Sequence, residues 1–392
     1  MPGDDAFPTV VVVIVWLGWL AILLPRMIVT PLIPLIEQDF SVTHSSAGLL
    51  MTAYLLPYAV LQALTGTLCD RFGTRRFIIV SITGSSLAGM AIWLTTSFDQ
   101  IVGLRILAGM LAGMWFAPST TLVTLSSRDR DRGKAMGIVF MGGSIANVII
   151  FLIVGILSTV TIDWRLFFLL ASIPGLIAAC LFVALAKEPP SIGAVRYANS
   201  GFDSKAVIAG LKQRPVLILL TLNVFLMTAN WALRTFVPTY LVQIRSLTTS
   251  EASLLMLIYA AANVSADPIA GILADRLGSR LPGLGSLTIM CLVSLTMPLA
   301  PLGTPIILVL LVWGFIGGWN FTLFNVLITR MVPREVRGTF LGIYNSLGFV
   351  GASVGPILFG YVADVAGFQS FFYLSLILFL SATALGVVLK EK

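Results

Sequence analysis

Long apolar runs follow one another along almost the whole chain, and they restrict its fold more than any other feature. Hydrophobic residues make up 58% of the 392 residues and charged residues only 10%, which excludes a water-soluble domain of this size. An α-helix needs about 20 apolar residues to cross a bilayer. We therefore predict an all-α membrane protein with twelve transmembrane helices. The predicted spans 1 to 12 cover residues 9–36, 46–68, 76–96, 99–124, 133–158, 164–186, 214–243, 250–274, 282–300, 304–330, 335–363 and 369–388.

A charged motif stands twice between apolar runs, as GTLCDRFGTR from Gly66 and as GILADRLGSR from Gly271. The copies are 205 positions apart, and the same offset relates Gly109 to Gly314. An internal duplication with an even number of spans per copy gives two parallel repeats. We therefore predict two six-helix bundles, at residues 1–186 and 214–392, joined by a cytoplasmic linker at 187–213.

The formal net charge of +7 is explained by where the basic residues lie. Most Lys and Arg fall in loops on one side of the predicted membrane, whereas only Arg165 and Arg245 fall in loops on the other side. By the positive-inside rule, the basic side is cytoplasmic and carries both termini. The charge therefore indicates topology in the plasma (inner) membrane, and no nucleic-acid partner is predicted.

The sequence lacks the patterns that enzymes and metalloproteins show. It has one histidine and three cysteines, without the spacing of metal ligands, a redox pair or a nucleophile with its base. It has no phosphate-binding glycine loop. We predict no enzymatic activity, no cofactor and no metal site.

The twelve spans, the central loop and the motif G-x-x-x-D-R-x-G-x-R after spans 2 and 8 resemble the major facilitator superfamily over the whole chain. The resemblance implies the major facilitator fold and transport by alternating access. It also implies that the two motifs form a cytoplasmic charge lock that gates transport and does not bind substrate. The gating residues are then Asp70, Arg71, Arg75, Asp275, Arg276 and Arg280.

Within that family, spans 1, 2 and 4 are most similar to the anion:cation symporter branch, which carries organic carboxylates and phosphate esters. Arg26 in span 1 and Arg105-x-x-x-Gly109 in span 4 carry the likeness. Two positions depart from it. Pro25 stands where the branch commonly has an aspartate, and Ala112 stands where it often has an acid. These departures leave the coupling ion open.

Three arginines lie inside predicted spans, where an ionised side chain is costly and marks a functional site by default. Arg26, Arg105 and Arg234 fall in spans 1, 4 and 7, which the resemblance places along the translocation path. Guanidinium groups form bidentate, charge-assisted bonds with carboxylate, phosphate and sulfonate groups. We predict that the three arginines bind an anionic substrate. For Arg26 and Arg234, the structural alternative is a set of bonds to backbone carbonyls at kinked helices. For Arg105, the alternatives are bracing of span 1 and proton relay.

Asp267 is the one acid that we place inside a span. A carboxyl group in that environment can stay protonated, which suits a proton carrier. The alternative is a hydrogen bond to the backbone carbonyl that Pro268 leaves without a donor. Aromatic and amide side chains on the lining helices complete the predicted substrate site. They are Tyr54, Tyr58, Trp231 and Asn320.

These patterns predict a monomeric secondary active transporter in a lipid bilayer, which moves a small organic anion by proton symport or anion exchange. Importing a monoanion against an inside-negative potential costs about 2.3 kcal/mol per 100 mV. The anion must therefore travel with a cation such as a proton, exchange for another anion, or leave the cell. The alternatives are a proton-coupled multidrug exporter and a non-transporting receptor or scaffold. The arginines disfavour cationic drugs, and a scaffold needs no gate.

Overall fold

A computed structural model gives the fold. It describes residues 9–72, 74–128, 131–160, 163–185, 209–333 and 336–389, without the side chains of residues 66–72. These residues are almost entirely helical and include no strand. The α-helices are α1 (Thr9–Met27), α2 (Val29–Phe40), α3 (His44–Phe72), α4 (Thr74–Ala91), α5 (Phe98–Gly113), α6 (Phe116–Ser126), α7 (Arg132–Leu157), α8 (Trp164–Leu185), α9 (Arg214–Gln243), α10 (Thr249–Val264), α11 (Ala266–Leu277), α12 (Arg280–Thr296), α13 (Thr304–Met331) and α14 (Arg337–Val388).

The helices of the described residues include ten segments that are long and apolar enough to cross a membrane. Three of these segments are broken helices, formed by α1 with α2, α5 with α6, and α10 with α11. The segment α14 contains a break at Gly367, whose φ of 77° is not helical, so it covers predicted spans 11 and 12. The 17-residue helix α12 is apolar as well and corresponds to span 9. The predicted all-helical transmembrane fold is therefore confirmed.

Several helices begin or end at residue types that favour helix termini, either capping residues or glycines. Ser97 precedes α5 and accepts a hydrogen bond from the backbone N–H of Gln100, and Thr248 forms a capping box with Glu251 at the start of α10. Gly278 and Gly303 have φ of 76° and 102°, a conformation that glycine adopts without steric strain. Local sequence thus fixes where these apolar helices start and stop.

The chain divides into two compact units. Unit 1 comprises Met1–Leu32 and Ala53–Asn199, and unit 2 comprises Ile33–Thr52 and Ser200–Lys392. Unit 2 therefore takes in the end of α2 and the start of α3, which we call the hairpin. Most of the predicted linker lies outside the described residues.

The internal duplication is visible in the packing of both units. A Cβ atom added to Gly109 of α5 would lie 2.2 Å from the carbonyl oxygen of Tyr54 in α3. A Cβ atom added to Gly314 of α13 would lie 2.2 Å from the carbonyl oxygen of Tyr259 in α10. Both members of the second pair follow those of the first by 205 positions. In each unit, the missing Cβ lets two helix backbones touch.

Candidate functional site

The first candidate cluster, in unit 1, is built around Arg26 at the end of α1. Arg26 is only 4% exposed. Its guanidinium carbon lies 4.9 Å from the ring centroid of Tyr58 and 5.8 Å from that of Tyr54. Tyr54 and Tyr58 are one helical turn apart on α3, with nearly parallel rings whose centroids are 6.4 Å apart. The structure thus brings together three predicted site residues in a buried arrangement of a cation over aromatic rings.

Arg105 joins this cluster but contacts the backbone of α1. Its two terminal nitrogens donate to the carbonyl oxygens of Pro25 at 2.9 Å and Arg26 at 3.1 Å. These carbonyls stand where the helix breaks, since α1 ends at Met27 and α2 begins at Val29. The guanidinium carbon of Arg105 lies 4.6 Å from the ring centroid of Tyr54, and the side chain is 1% exposed. This geometry favours the bracing of span 1 over the predicted substrate contact.

The cluster of Arg26, Tyr54, Tyr58 and Arg105, which we call the Arg26 cluster, places two guanidinium groups around one tyrosine ring. Two buried cations this close repel each other and concentrate positive potential in a poorly solvated region. An anion held there would reduce that repulsion. The cluster is therefore suited to bind an acidic group.

The second candidate cluster, in unit 2, consists of Arg234, Trp231 and Tyr259, which we call the Arg234 cluster. The guanidinium carbon of Arg234 lies 5.9 Å from the ring centroid of Trp231 and 5.8 Å from that of Tyr259. Among the described residues, no carboxylate lies within salt-bridge distance of Arg234. Arg234 and Trp231 are partly exposed, whereas Tyr259 is buried and packs on Trp313. A guanidinium group in this setting can accept an external anion.

Tyr259 was not among the predicted site residues, although a sequence signal could have found it. Tyr54 and Tyr259 differ by the same 205 positions that relate the two charged motifs. Each tyrosine ring contacts an arginine of its own unit, and each tyrosine carbonyl packs against a glycine of the repeat, Gly109 or Gly314. The two arginines themselves do not obey the offset, because 205 positions after Arg26 stands Trp231.

Asp267 lies in the first turn of α11, just after the break between α10 and α11. Its Oδ1 accepts a hydrogen bond of 2.8 Å from the hydroxyl of Thr322 on α13. The side chain is exposed on the protein surface. The alternative of a bond to a backbone carbonyl near Pro268 is therefore not what the structure shows.

Asn320 is fully buried, and its Oδ1 accepts a 2.6 Å hydrogen bond from the hydroxyl of Ser286. The bond ties α13 to α12 and uses the amide in packing. Its role as a substrate ligand stays a prediction. Among the described residues, no group of three or more His, Cys, Asp and Glu side chains could hold a metal ion.

The sequence matches the profile of the Major Facilitator Superfamily over residues 15–356, and again over residues 219–392. The chain belongs to this superfamily. The predicted family is thus confirmed, and the protein is a multi-pass membrane transporter and not an enzyme. The overlapping second match covers the second repeat, in keeping with the internal duplication.

Curated relatives and solved structures agree with the superfamily. The cis,cis-muconate transport protein of Acinetobacter baylyi is 26% identical over 339 residues, which are 84% of this chain and 81% of that protein. A probable sulfoacetate transporter of Cupriavidus necator is 26% identical over 361 residues, or 85% of this chain and 82% of that protein. The crystal structure of a D-xylose-proton symporter aligns with a TM-score of 0.81 at 16% identity, covering 98% of this chain and 99% of the other.

The arginines that end the two superfamily motifs make the same contact in each unit. A terminal nitrogen of Arg75 donates to the carbonyl oxygen of Val183 at 2.8 Å, and one of Arg280 donates to that of Val387 at 2.8 Å. Val183 belongs to the last described turn of α8, and Val387 belongs to the last turn of α14, where carbonyls lack intrahelical donors. Arg280 thus caps the end of α14, a contact that a simple charge lock does not require.

The other gating residues are only partly described. The side chains of Asp70 and Arg71 lie outside the described residues, and Asp275 and Arg276 are exposed in unit 2. Their function in a charge lock stays a prediction.

Proposed function

We propose that this superfamily transporter carries a small organic anion, a carboxylate or a phosphate ester. One observation carries the proposal. In each unit, an arginine inside a membrane span lies against the ring of a tyrosine, Arg26 against Tyr54 and Arg234 against Tyr259. The two tyrosines occupy equivalent positions in the two repeats. An ionised arginine in a span is energetically costly. Its presence beside an equivalent tyrosine in both units therefore favours the same function, substrate binding, for the two arginines.

The rings hold the guanidinium groups without neutralising them. A tyrosine ring attracts a cation through its quadrupole, by about 0.5–2 kcal/mol, and carries no charge of its own. The donors of a guanidinium group lie in one plane, in a geometry that matches bidentate bonding to a carboxylate or phosphate. The names of the two relatives, which refer to muconate and sulfoacetate, support an acidic substrate for this chain as well.

Arg26 is buried, so substrate reaches it only when the Arg26 cluster opens. This requirement fits transport by alternating access. Because the cell interior is negative, an anion that enters the cell travels with protons or exchanges for a second anion. Asp267 is our candidate proton carrier, since it lies inside a predicted span and its carboxylate is held by a single described hydroxyl, that of Thr322. We further propose a monomer in the plasma (inner) membrane with both termini in the cytoplasm.

Ligand-dependent thermal stabilisation of the purified protein tests the substrate class. Mono- and dicarboxylates, phosphate esters, sulfonates and lipophilic cations are each titrated. A ligand at 100 times its Kd stabilises the folded state by about 2.7 kcal/mol, so binders are readily seen. Arg234→Lys keeps the positive charge but loses the bidentate fork, and we expect anion affinity to fall by about tenfold or more. Arg214→Ala, which removes an exposed arginine at the start of the same helix, is the matched control.

Stabilisation by an anion that Arg234→Lys weakens and Arg214→Ala preserves would support the proposal. Stabilisation by lipophilic cations alone, unchanged in Arg234→Lys, would refute it in favour of a multidrug exporter. A receptor or scaffold would bind a ligand without moving it across a vesicle membrane.

A further inference from the structure

The hairpin carries the single histidine of the sequence, at the first residue of α3. Nδ1 of His44 lies 2.9 Å from Oε1 of Glu37, near the end of α2. Oε2 of Glu37 accepts a 2.8 Å hydrogen bond from the side-chain amide of Gln243, at the end of α9. The side chain of Glu37 is 5% exposed and that of His44 is 20% exposed. Among the described residues, no other basic group lies within salt-bridge distance of Glu37.

The backbone beside His44 is joined to α14 of the same unit. The carboxylate of Asp364 accepts hydrogen bonds from the backbone N–H groups of His44 at 2.8 Å and Ser45 at 2.9 Å, and so caps the start of α3. A Cβ atom added to Gly360 of α14 would lie 2.5 Å from the carbonyl oxygen of His44. A Cβ atom added to Gly48 would lie 2.5 Å from that of Pro356. We call the contacts of Glu37, His44, Gln243 and Asp364 the clasp.

The charged groups that face His44 are both acids, Glu37 from α2 and Asp364 from α14. From α9 and α14, the uncharged rings of Phe236 and Phe368 contact the imidazole, with centroids 6.3 and 5.1 Å away. A cavity of about 420 Å³ borders the clasp and is lined by Glu37, His44 and Asp364 among others, so solvent protons have a route to the imidazole.

The position and the burial of Glu37 both favour a positively charged partner for its carboxylate. It lies three residues before the end of α2, where the helix dipole disfavours negative charge. It is also buried, which disfavours an ionised carboxylate without a charged partner. A neutral imidazole can still hydrogen-bond to Glu37, but only the imidazolium form adds the charge that stabilises the carboxylate.

We propose that His44 is a proton-binding site that regulates the clasp: protonation of His44 strengthens the hold of the hairpin on α9 and α14. The stabilisation is present when His44 is charged and is lost as the pH rises through its titration in the folded protein. A transport step that loosens the hairpin is then slowed by acid on the face of the membrane that carries the clasp.

Nuclear magnetic resonance tests the site directly, because the chain has one histidine. The protein is purified through a histidine-free tag after labelling with isotopic histidine, and its one imidazole signal is followed from pH 5 to 9. We expect the signal to titrate at a higher pH in the wild type than in Glu37→Gln, because the hydrogen bond to Glu37 raises the pKa of His44. Asp39→Asn, which removes an exposed acid on the same helix, is the matched control and should behave as the wild type. Equal titrations of the wild type and Glu37→Gln would overturn the proposal.

Thermal unfolding tests the mechanical consequence. Raising the pH from 6 to 8 should lower the unfolding temperature of the wild type more than that of His44→Gln, whose amide preserves a hydrogen bond without a titrating charge. The same loss in both proteins would show that His44 does not control the clasp. This experiment needs no substrate, so its outcome is independent of the proposed function.

Discussion

The paired glycines Gly109 and Gly314 offer a prediction that links packing to the candidate site. An added Cβ at either position would lie 2.2 Å from a tyrosine carbonyl oxygen, whereas ordinary contact starts at 3.4 Å. The neighbouring backbone must therefore move by about 1.2 Å, the difference between the two distances. Overpacking on this scale costs about 1–3 kcal/mol. We expect Gly109→Ala and Gly314→Ala each to lose stability by that amount.

The displacement also has a functional consequence, because it acts on the residues that support the arginines. Moving Tyr54 shifts the ring that Arg26 and Arg105 share. Moving Tyr259 shifts the ring beside Arg234. Each substitution should therefore weaken anion binding as well as folding.

Matched controls exist on the same two helices. A Cβ atom on Gly103 of α5 meets nothing within 4 Å, and one on Gly317 of α13 meets only its own helix, at 3.5 Å. Alanine at either site should be neutral or stabilise the helix by about 0.5–1 kcal/mol. Thermal unfolding in detergent, with and without the bound anion, measures all four variants. If Gly109→Ala and Gly103→Ala were equally stable, the backbone contact with Tyr54 would be wrong.

Three further predictions concern single contacts. In Arg105→Lys, the single ammonium group cannot reach both carbonyls of the α1 break, so stability should fall by about 1–2 kcal/mol and anion affinity should fall with it. Thermal unfolding and anion titration measure the two effects, and unchanged values in both assays would contradict the bracing function. Thr322→Val removes the hydroxyl donor of Asp267 and should shift the pH profile of transport in vesicles, whereas an unchanged profile would argue against Asp267 as proton carrier. Arg280→Gln should cost about 1 kcal/mol in thermal unfolding by uncapping α14, relative to exposed Arg276→Gln, and equal stabilities would exclude the cap.

The fold was largely predictable, because apolar length and an exact offset are both readable in a linear sequence. The run lengths predicted the spans, and the break between spans 11 and 12 falls at Gly367, inside the gap left between residues 363 and 369. The offset of the charged motifs also relates Gly109 to Gly314, and both contact a tyrosine carbonyl in the structure. The repeat could thus have predicted Tyr259 from Tyr54.

The site was only partly predictable, since its contacts depend on tertiary structure. The sequence shows that Arg105 is inside a span, but not that its donors meet the carbonyls of Pro25 and Arg26, about 80 residues earlier. The clasp is a stronger case. Asp364 caps a helix that begins 320 positions before it, and no periodicity in the sequence indicates that pairing. In the sequence, His44 stands in the short gap between predicted spans 1 and 2, and only the fold shows that its imidazole contacts Glu37.

We propose that this transporter moves an organic anion through sites made by Arg26 and Arg234. Counterflow in proteoliposomes tests it most directly. Vesicles are loaded with an anion that stabilises the purified protein, and uptake of the same labelled anion is measured from outside. We predict that unlabelled anion inside the vesicles accelerates uptake of the labelled anion. Arg214→Ala should retain this uptake, whereas Arg26→Ala and Arg234→Lys should both lose it while remaining folded. Equal uptake by the wild type and the two site variants would contradict the account.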